Sequence, residues 1–260
     1  MPVEINIGKR LEKQLWHNQF YAKNPAVFWL PEGLVVWRDY FSEQVNNFMV
    51  KNKISSETFV EGYSDRALKI TFNKSTGNVY LMNRFPPGFL AFDELVVLVK
   101  TRYPDAVEHL RHSCRVVLDN GSAKYVGEVW WIKPRDEDYV TVSFYDSEGN
   151  NFAGEIAAPV YAKNTWHDVY LTFDLKEMKY KYVYVDFIDF SSAWEDAGYS
   201  LKLYSTSSDG KKRVETYFVF WSDGSSAETI TAQICDIYII GVGGIVKHRS
   251  KIPSYPMITV

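Results

Sequence analysis

Carboxylates are the side chains with which this 260-residue chain could do acid–base chemistry, and their spacing gives the first test. Cleavage by a carboxylate pair needs two groups about 5–5.5 Å apart, which alternating positions of one strand can supply. The acidic run Asp136–Asp138 follows Pro134 and Arg135 between two predicted strands, which indicates a solvated turn. Asp186 and Asp189 are three positions apart, so on a strand they face opposite sides. The carboxylates therefore predict no catalytic pair.

Histidine could supply a general base or a metal ligand, but the five histidines are scattered along the chain. His109 and His112 have the i, i+3 spacing of helical metal ligands, yet no cysteine or carboxylate pattern accompanies them. They belong to Tyr103–His112, which we interpret as a surface loop or one short helix. Gly241–Gly244 follows a strand but leads into a polar tail, so it does not predict a phosphate loop.

Tyrosines at alternating positions are the feature that predicts a binding surface. One predicted face consists of Tyr180, Tyr182, Tyr184 and Asp186, and the opposite face carries core valines. Tyr139 and Tyr145 occupy one face of another strand in the same way. Tyrosine rings can stack on sugars while polar neighbours bind the hydroxyls. The alternative is a half-buried outer face that an arm or a neighbouring subunit covers, because cross-strand aromatic pairs stabilise sheets without any ligand.

The elements that must position these residues are strands, because apolar residues recur with period two between turn signals. We predict strands at 34–37, 67–72, 79–82, 94–101, 125–132, 139–145, 166–173, 179–187, 200–204, 214–221 and 233–240. No long helix and no helix–strand alternation is evident. The pattern predicts an all-β fold, a two-sheet antiparallel jelly-roll sandwich with N-terminal and C-terminal arms.

The domain organisation follows from where the strands begin and end. We expect residues 1–34 to be an N-terminal arm or lead-in segment, residues 35–246 to be the jelly-roll β-sandwich domain, and residues 247–260 to be an extended C-terminal tail. Cys114 and Cys235 could pair if the fold brings them together, and two buried thiols are the interpretation we favour.

Composition excludes several classes of partner. The formal net charge is −3 and the basic run Lys211–Arg213 follows a turn signal, so nucleic acid is not an expected partner. No apolar run approaches the roughly 18 residues of a membrane span. The N-terminal residues carry charges and lack the apolar core of a signal peptide, so we expect an intracellular or particle-associated protein.

The order of the segments from residue 35 to 242 resembles the concanavalin A-like lectin/glucanase superfamily, including laminin-G-like domains. Four stretches carry the resemblance most clearly: Arg66–Ile70, Thr165–Asp174, the tyrosine-rich strand from Lys179, and Cys235–Ile239. Asp39-Tyr40-Phe41 is similar to the acidic and aromatic opening of such domains. The departure is Asp186–Phe190, where many relatives have a short glycine-containing turn.

The resemblance also supplies expectations about chemistry. Hydrolases of the superfamily use an E-x-D-x-x-E or E-x-D-x-E strand, and this sequence has none. Lyases of similar fold use Arg, His, Gln and Tyr on one sheet, a role for which Arg111, His109 and His112 are poor candidates in a surface segment. The resemblance implies no cofactor other than a structural Ca²⁺, for which Asp39, Glu43 and Asp236 are the candidate ligands; the alternative is that Asp236 pairs within the sheet.

Three functions follow, in order of preference. The first is a non-catalytic, carbohydrate-binding, lectin-like domain that uses the tyrosine faces, so that the protein is not an enzyme. The second is a structural or assembly protein, such as a virion or particle component, whose arms reach neighbouring subunits of a homo-oligomer. The third is a glycan hydrolase or lyase. The expected partners are accordingly a glycan or neighbouring protein subunits.

Overall fold

Two antiparallel β-sheets packed face to face make up this protein, so the prediction of an all-β jelly-roll sandwich is confirmed. The computed structural model describes residues 28–30, 33–39, 41, 48–63, 65–73, 79–85, 87–102, 110–133, 139–161, 164–186, 188–222 and 229–243. The two predicted arms lie largely outside these residues. Phe28–Leu30 pairs with Gly33–Asp39, so the sheet begins before the predicted domain boundary at 35.

The strands are numbered in chain order. They are β1 (Phe28–Leu30), β2 (Gly33–Asp39), β3 (Val50–Asn52), β4 (Ser56–Glu61), β5 (Arg66–Asn73), β6 (Val79–Phe85), β7 (Glu94–Arg102), β8 (Leu110–Asp119), β9 (Ala123–Lys133), β10 (Tyr139–Phe144), β11 (Ala153–Tyr161), β12 (Trp166–Asp174), β13 (Lys179–Val185), β14 (Ile188–Asp189), β15 (Tyr204–Ser207), β16 (Arg213–Ser222) and β17 (Thr229–Val242). A 3₁₀ helix at Pro87–Ala91 precedes β7, and one α-helix, α1 (Phe190–Asp196), follows β14.

Sheet I has the order β1-β2-β17-β7-β12-β13-β14, with β5 and β4 attached beside β17. The 14-residue β17 pairs with β7 along one edge. Along its other edge it pairs first with β5 and then with β2. The switch coincides with Asp236, which has a positive φ of 48° at an interruption of the register with β7. This bulge lets one strand serve two successive neighbours on the same edge.

Sheet II has the order β11-β10-β9-β8-β16-β6-β3. Strand β9 is shared in a similar way, because its first half pairs with β15 and its second half with β10. The long strands β8 and β16 pair over ten residues each, from Leu110 to Asp119 and from Arg213 to Ser222. They form a regular central platform on which side chains alternate between the core and the outer surface.

The core lies between the two sheets and is built from the inward residues of every long strand. Val214, Phe218 and Phe220 of β16 are buried, and Arg213, Glu215 and Tyr217 alternate with them on the outer surface. Trp131 of β9 and Phe173 of β12 are fully buried in the same cluster. The period-two pattern that predicted the strands therefore also determines which side of each strand is apolar.

The interpretation of Tyr103–His112 as a surface segment is wrong for its last three residues, 110–112. Residues 103–109 lie outside the described part of the chain, but Leu110–His112 begins β8, and His112 is completely buried. The Nδ1 atom of His112 lies 2.5 Å from the hydroxyl of Thr101 on the facing sheet. Burial lowers the pKa of His112 well below its usual value, so a neutral imidazole fits between Trp131 and Phe220.

Helix α1 was not predicted, because Phe190–Asp196 is too short for a helical periodicity to stand out. The Asp189 side chain caps the helix by accepting a hydrogen bond from the Ser192 amide at 3.2 Å. Trp194 is fully buried, and its indole N–H donates to the Gly154 carbonyl at 2.5 Å. Gly154 has a φ of +60°, and a Cβ there would lie 2.5 Å from the Trp194 ring, so the position requires glycine.

Two further observations complete the fold. Cys114 and Cys235 are both free and buried, which agrees with two thiols rather than a disulfide. Burial raises the pKa of both thiols, so they are poor nucleophiles. In the part of the chain that the structure describes, no helix is long and apolar enough to cross a membrane.

Trp194→Ala tests whether α1 is part of the core. The substitution removes a fully buried ring that packs 4.4 Å from the Phe144 ring. We expect the free energy of unfolding to fall by about 3–5 kcal/mol, as measured by urea denaturation. Glu195→Ala, at an exposed position of the same helix, is the control and should change it little. A loss below about 1 kcal/mol in Trp194→Ala would show that the helix is not integral to the fold.

Candidate functional site

The tyrosines predicted to bind sugar do not form one surface. Tyr182 and Tyr184 lie on β13 in sheet I, whereas Tyr139 and Tyr145 lie on or directly after β10 in sheet II. The two groups therefore belong to different sheets of the sandwich. On sheet I, Tyr184 is between Tyr170 and Tyr182, with ring centroids 5.9 and 6.3 Å away. The Tyr170–Tyr184 contact is a cross-strand aromatic pair, which stabilises a sheet, and the Tyr182–Tyr184 contact lies along β13 itself. Whether either group binds sugar stays a prediction.

Tyr180 is the clearest departure from the predicted face. Tyr182 pairs with Thr172 and Tyr180 with Phe173, so Lys181 is an extra residue that forms a β-bulge. The bulge turns Tyr180 into the core, where it is 1% exposed, while Tyr182 and Tyr184 stay half-buried on the outer side. The expectation that Tyr180 shares their face is wrong, because alternation does not hold across a bulge.

Asp186 is also used differently from the prediction. It follows β13 with a φ of 49°, and its two carboxylate oxygens accept from the His167 ring and from the Asp168 amide. The His167 Nδ1 atom is 2.6 Å from Asp186, and His167 itself is completely buried. Asp186 therefore orients a core histidine at the end of the strand.

The calcium prediction stays untested. Glu43 and the side chain of Asp39 lie outside the described part of the structure. The backbone of Asp39 pairs with Ile237, so it lies next to Asp236, which is 5% exposed. Among the residues that the structure describes, no group of three or more His, Cys, Asp or Glu side chains could hold a metal ion.

A groove on the outer surface of sheet II brings chemistry-bearing side chains together. It has a volume of about 380 Å³ and crosses β6, β16, β8 and β9. Its floor is apolar, formed by Val117, Val126 and Val219. Its polar and aromatic lining consists of Tyr80, Arg115, Lys124, Arg213, Glu215 and Tyr217.

Glu215 and Tyr217 form a hydrogen-bonded pair in this groove. The Tyr217 hydroxyl donates to Glu215 Oε2 at 2.6 Å, and Arg84 donates to Oε1 at 2.8 Å. Burial first, and then the Glu215 hydrogen bond, raise the pKa of Tyr217, so its hydroxyl keeps its proton at neutral pH. The Tyr80 ring packs edge-on against the Tyr217 ring with centroids 5.5 Å apart.

Arg115 stands directly opposite Tyr217 on the adjacent strand β8. Its guanidinium donates to Glu128 of β9 at 2.8 Å, and Ser113 donates to the other Glu128 oxygen at 2.5 Å. The Glu128 side chain is only 1% exposed, whereas that of Arg115 is 35% exposed. Burial raises the pKa of the Glu128 carboxyl, and the charge of Arg115 opposes that shift. Glu128 thus lies beneath the groove and fixes the Arg115 head.

Tyr180 links this position to the other sheet. The Glu128 amide donates to the Tyr180 hydroxyl at 2.7 Å, and that hydroxyl donates to the Tyr145 carbonyl at 2.9 Å. The Tyr145 amide in turn donates to the Glu128 carbonyl at 2.8 Å. Tyr180 of sheet I therefore forms hydrogen bonds with the backbone of sheet II at Glu128, the residue that holds Arg115.

A second, smaller pocket adjoins the groove and shares Arg115 with it. Its volume is about 210 Å³, and its remaining lining is Arg111, Trp130, Asn151, Phe152 and Trp221. The Arg111 guanidinium lies 4.4 Å from the Trp221 ring centroid and 4.6 Å from that of Phe152. None of the described residues that line this pocket is a carboxylate. We call it the Arg111 pocket.

The two buried glutamates lie on different strands and are held by different partners. Glu215 pairs with Val117, which pairs with Val126, so Glu128 is two strands away and two residues further along. That offset places their Cα atoms roughly 12 Å apart. Each carboxylate is also held by its own partners, Glu128 by Arg115 and Ser113 and Glu215 by Arg84 and Tyr217. Both carboxylates are therefore engaged within the protein itself.

Sequence reasoning missed this groove for a definable reason. The predicted strands at 125–132 and 214–221 contain Glu128, Glu215 and Tyr217, but no side was assigned to these residues. Strand β8, which carries Arg115 between them, was not predicted, and the order β9-β8-β16 is not local information. The outward alternation of Arg111, Ser113 and Arg115 was the available signal.

Comparison with known proteins adds the fold relatives. No protein-family model matches the sequence, and no curated protein matches it significantly. Among solved structures, a carbohydrate esterase of Shiga toxin-encoding bacteriophage phi24B has a TM-score of 0.52 at 11% identity, covering 80% of this chain and 99% of that chain. A GH131 β-glucanase catalytic domain from Podospora anserina has a TM-score of 0.46 at 11% identity, covering 80% and 96%. A Thermotoga maritima laminarinase catalytic domain has a TM-score of 0.42 at 10% identity, covering 81% and 98%.

These comparisons confirm the resemblance at the level of fold: the protein has a concanavalin A-like jelly-roll fold. They also correct the functional prediction. The neighbour with a TM-score above 0.5 is a carbohydrate esterase, so the preferred prediction of a non-catalytic lectin-like domain, and with it the prediction that the protein is not an enzyme, is wrong. The findings favour the third alternative, a glycan hydrolase or lyase. The missing E-x-D-x-E string excluded only one of the ways in which this fold can carry a catalytic site.

Tyr180→Phe tests the link across the core. The substitution keeps the buried ring and removes the hydroxyl, which leaves the Glu128 amide without that acceptor. We expect a loss of about 1–3 kcal/mol in the free energy of unfolding, measured by urea denaturation. Tyr199→Phe, at a position that is 43% exposed, is the matched control and should be neutral. Equal stability of the two variants would contradict a structural role for the Tyr180 hydroxyl.

Proposed function

We propose that this protein is a glycan-cleaving enzyme that binds its substrate in the groove of sheet II and cleaves it by β-elimination. The observation that carries the proposal is the Tyr217–Glu215 pair, 2.6 Å apart, lining the same groove as Arg115 and Arg213. A neutral tyrosine beside a carboxylate can transfer protons, and arginine can bind and neutralise a carboxylate of the substrate.

The elimination uses these groups as follows. Arg115 binds the carboxylate of a uronic acid unit, which makes the proton on the adjacent ring carbon C5 more acidic. Glu215 accepts that proton, the electron pair of the C5–H bond forms the C4–C5 double bond, and the C4–O glycosidic bond breaks. The Tyr217 hydroxyl donates its proton to the departing oxygen, and the proton on Glu215 then restores Tyr217. All atoms and electrons are accounted for without another reactant.

The geometry supports elimination over hydrolysis by a carboxylate pair. Among the described residues that line the groove, Glu215 is the one carboxylate, whereas Glu128 lies beneath Arg115 and is 1% exposed. Each of the two carboxylates is engaged by its own partners, Glu128 by Arg115 and Ser113 and Glu215 by Arg84 and Tyr217. The remaining polar groups of the groove are tyrosines, guanidinium groups and the Lys124 ammonium.

The fold relatives support the wider class. The bacteriophage esterase, the only one of the three with a TM-score above 0.5, is described as acting on carbohydrate. This likeness supports a glycan as the substrate class. The choice of elimination rests on the residues of the groove.

Tyr217→Phe tests the proton transfer. We expect cleavage of uronic acid polysaccharides to fall by about 10²–10⁴-fold, because the ring remains and the transferable proton is lost. The measurement is the ultraviolet absorbance of the unsaturated sugar that elimination produces, together with release of reducing ends. Glu215→Gln should give a loss of similar size.

The controls separate loss of chemistry from loss of structure. Tyr199→Phe should cleave as the unaltered protein does, because Tyr199 is outside the groove lining. Circular dichroism and thermal unfolding should show Tyr217→Phe folded. Reducing ends released without ultraviolet absorbance would overturn elimination, and no cleavage of any polyuronate by the unaltered protein would overturn the proposed function.

A further inference from the structure

Two tyrosines lie beside the proposed cleavage groove, along the edge of β9 that faces away from β8. Tyr204 of β15 pairs with Val126, which lines the groove, so the Tyr204 side chain also points to the outer surface of sheet II. Tyr145 directly follows β10, and its amide donates to the Glu128 carbonyl at 2.8 Å. The two tyrosine rings pack edge-to-face with centroids 5.2 Å apart. We call Tyr145 and Tyr204 the β9 tyrosine pair.

The turn after Tyr145 holds the Tyr204 ring in place. A Cβ on Gly149, which has a φ of +92°, would lie 3.0 Å from this ring, so the glycine backbone packs directly against it. The turn is itself closed by Asp146, whose carboxylate accepts a hydrogen bond from the Glu148 amide at 3.0 Å. An aromatic ring that is already fixed loses little conformational freedom when a ligand packs on it.

Arg115 connects the β9 tyrosine pair to the proposed chemistry. Burial, and then the neighbouring Tyr204, raise the pKa of Tyr145, whereas the positive charge of Arg115 opposes that shift. The Tyr145 hydroxyl therefore keeps its proton at neutral pH and lies close enough to Arg115 to sense its charge. Both tyrosine side chains are only half-buried, so part of each ring is open to a ligand.

The proposed elimination determines the direction of the bound chain. Arg115 on β8 holds the carboxylate of the unit that loses its C5 proton, and Tyr217 on the adjacent strand β16 protonates the oxygen that leaves C4. The departing unit therefore lies toward β6, and the fragment that keeps the uronate continues toward β9. Strand β15 is three strand positions from β16, about 14 Å away, so the β9 tyrosine pair lies on the path of this fragment.

From these features we infer that the β9 tyrosine pair binds a further sugar ring of the glycan, on the reducing-end side of the cleaved bond. This inference rests on the proposed function, since the direction of the chain comes from the proposed elimination. Tyrosine rings stack on the C–H face of a sugar, and their hydroxyls bind polar groups at its edge. Stacking does not require a charge on the sugar, so the site accepts acidic and neutral units, and the substrate is a polysaccharide long enough to reach past β9.

The test measures binding separately from cleavage. Oligouronates of increasing length are titrated by calorimetry into the Tyr217→Phe protein, with and without Tyr204→Val. We expect Tyr204→Val to weaken binding of the longest ligands by roughly three- to tenfold and to leave the shortest nearly unaffected, because only long ligands reach the pair. The same oligosaccharides with methyl-esterified carboxyl groups should lose affinity by the same factor, since a stacked ring contacts C–H groups.

Two further variants in the same background are the controls. Tyr204→Phe keeps the ring and should bind long oligouronates nearly as tightly as the Tyr217→Phe protein does. Tyr170→Val removes a matched ring from sheet I, where Tyr170 packs edge-on against Tyr184 with centroids 5.9 Å apart, and should leave binding unchanged. Thermal unfolding should show all variants folded. An equal loss for the shortest and the longest ligands in Tyr204→Val would contradict the assigned position.

Cleavage by the protein with Tyr217 intact tests the direction of the chain. Oligouronates labelled at the reducing end should give shorter labelled fragments with Tyr204→Val, because cuts near that end no longer lose a contact with the β9 tyrosine pair. Shortening of the unlabelled fragments instead would place the pair on the other side of the cleaved bond and overturn the assignment.

The outcomes distinguish this inference from the proposed function. If Tyr204→Val binds long oligouronates as tightly as Tyr170→Val does, the pair is not a sugar-binding subsite, even if the unaltered protein cleaves them. If the unaltered protein cleaves nothing but Tyr204 still determines binding, the proposed function fails and the subsite stands. Absence of any oligouronate binding would overturn both.

Discussion

Each central strand of sheet II must present two incompatible surfaces, and this constraint organises the molecule. One side of β8, β9 and β16 is packed into the core, where Cys114, Trp131 and Phe218 are fully buried. The other side carries arginines, glutamates and tyrosines at the alternating positions. Because the core fixes the register, it also fixes which polar side chains become neighbours on the outer surface. The groove is thus a consequence of how the interior packs.

The two buried glutamates of sheet II each have a cationic partner that offsets the unfavourable free energy of burying a carboxylate. Glu128 and Glu215 are almost completely buried, and a lone buried carboxylate would be strongly unfavourable. Each is paired with an arginine whose head remains partly exposed, Arg115 in one case and Arg84 in the other. The ion pairs therefore serve mainly to hold cationic groups in a defined place, since buried pairs are weak evidence for net stabilisation.

The sequence pattern predicted most strands of the sandwich correctly but did not predict the residues of the groove. Alternation in 139–145, 166–173 and 214–221 predicted strands and their apolar sides, and these agree with β10, β12 and β16. It failed at Tyr180, because one inserted residue, Lys181, reverses the sides of a strand. A bulge has no reliable local signature.

The site could not be predicted because its members meet only through strand order. Glu128, Arg115 and Tyr217 come from three strands whose adjacency depends on pairing between distant segments. Helix α1 was missed for the opposite reason, since it is local but too brief to show a period. The sequence pattern therefore predicts neither the order of strands that are distant in the chain nor elements as short as α1.

The double partnership of β17 has a consequence for how the chain acquires its structure. This strand lies in the middle of sheet I and pairs with β2, β5 and β7, whose residues precede it by more than a hundred positions. Closing such distant loops is entropically slow, and until it happens the earlier strands have exposed hydrogen-bonding edges. Sheet I cannot be completed while Thr229–Val242 of the nascent chain is still on the ribosome. Incomplete chains therefore expose strand edges and apolar surface through which they can aggregate until β17 is in place.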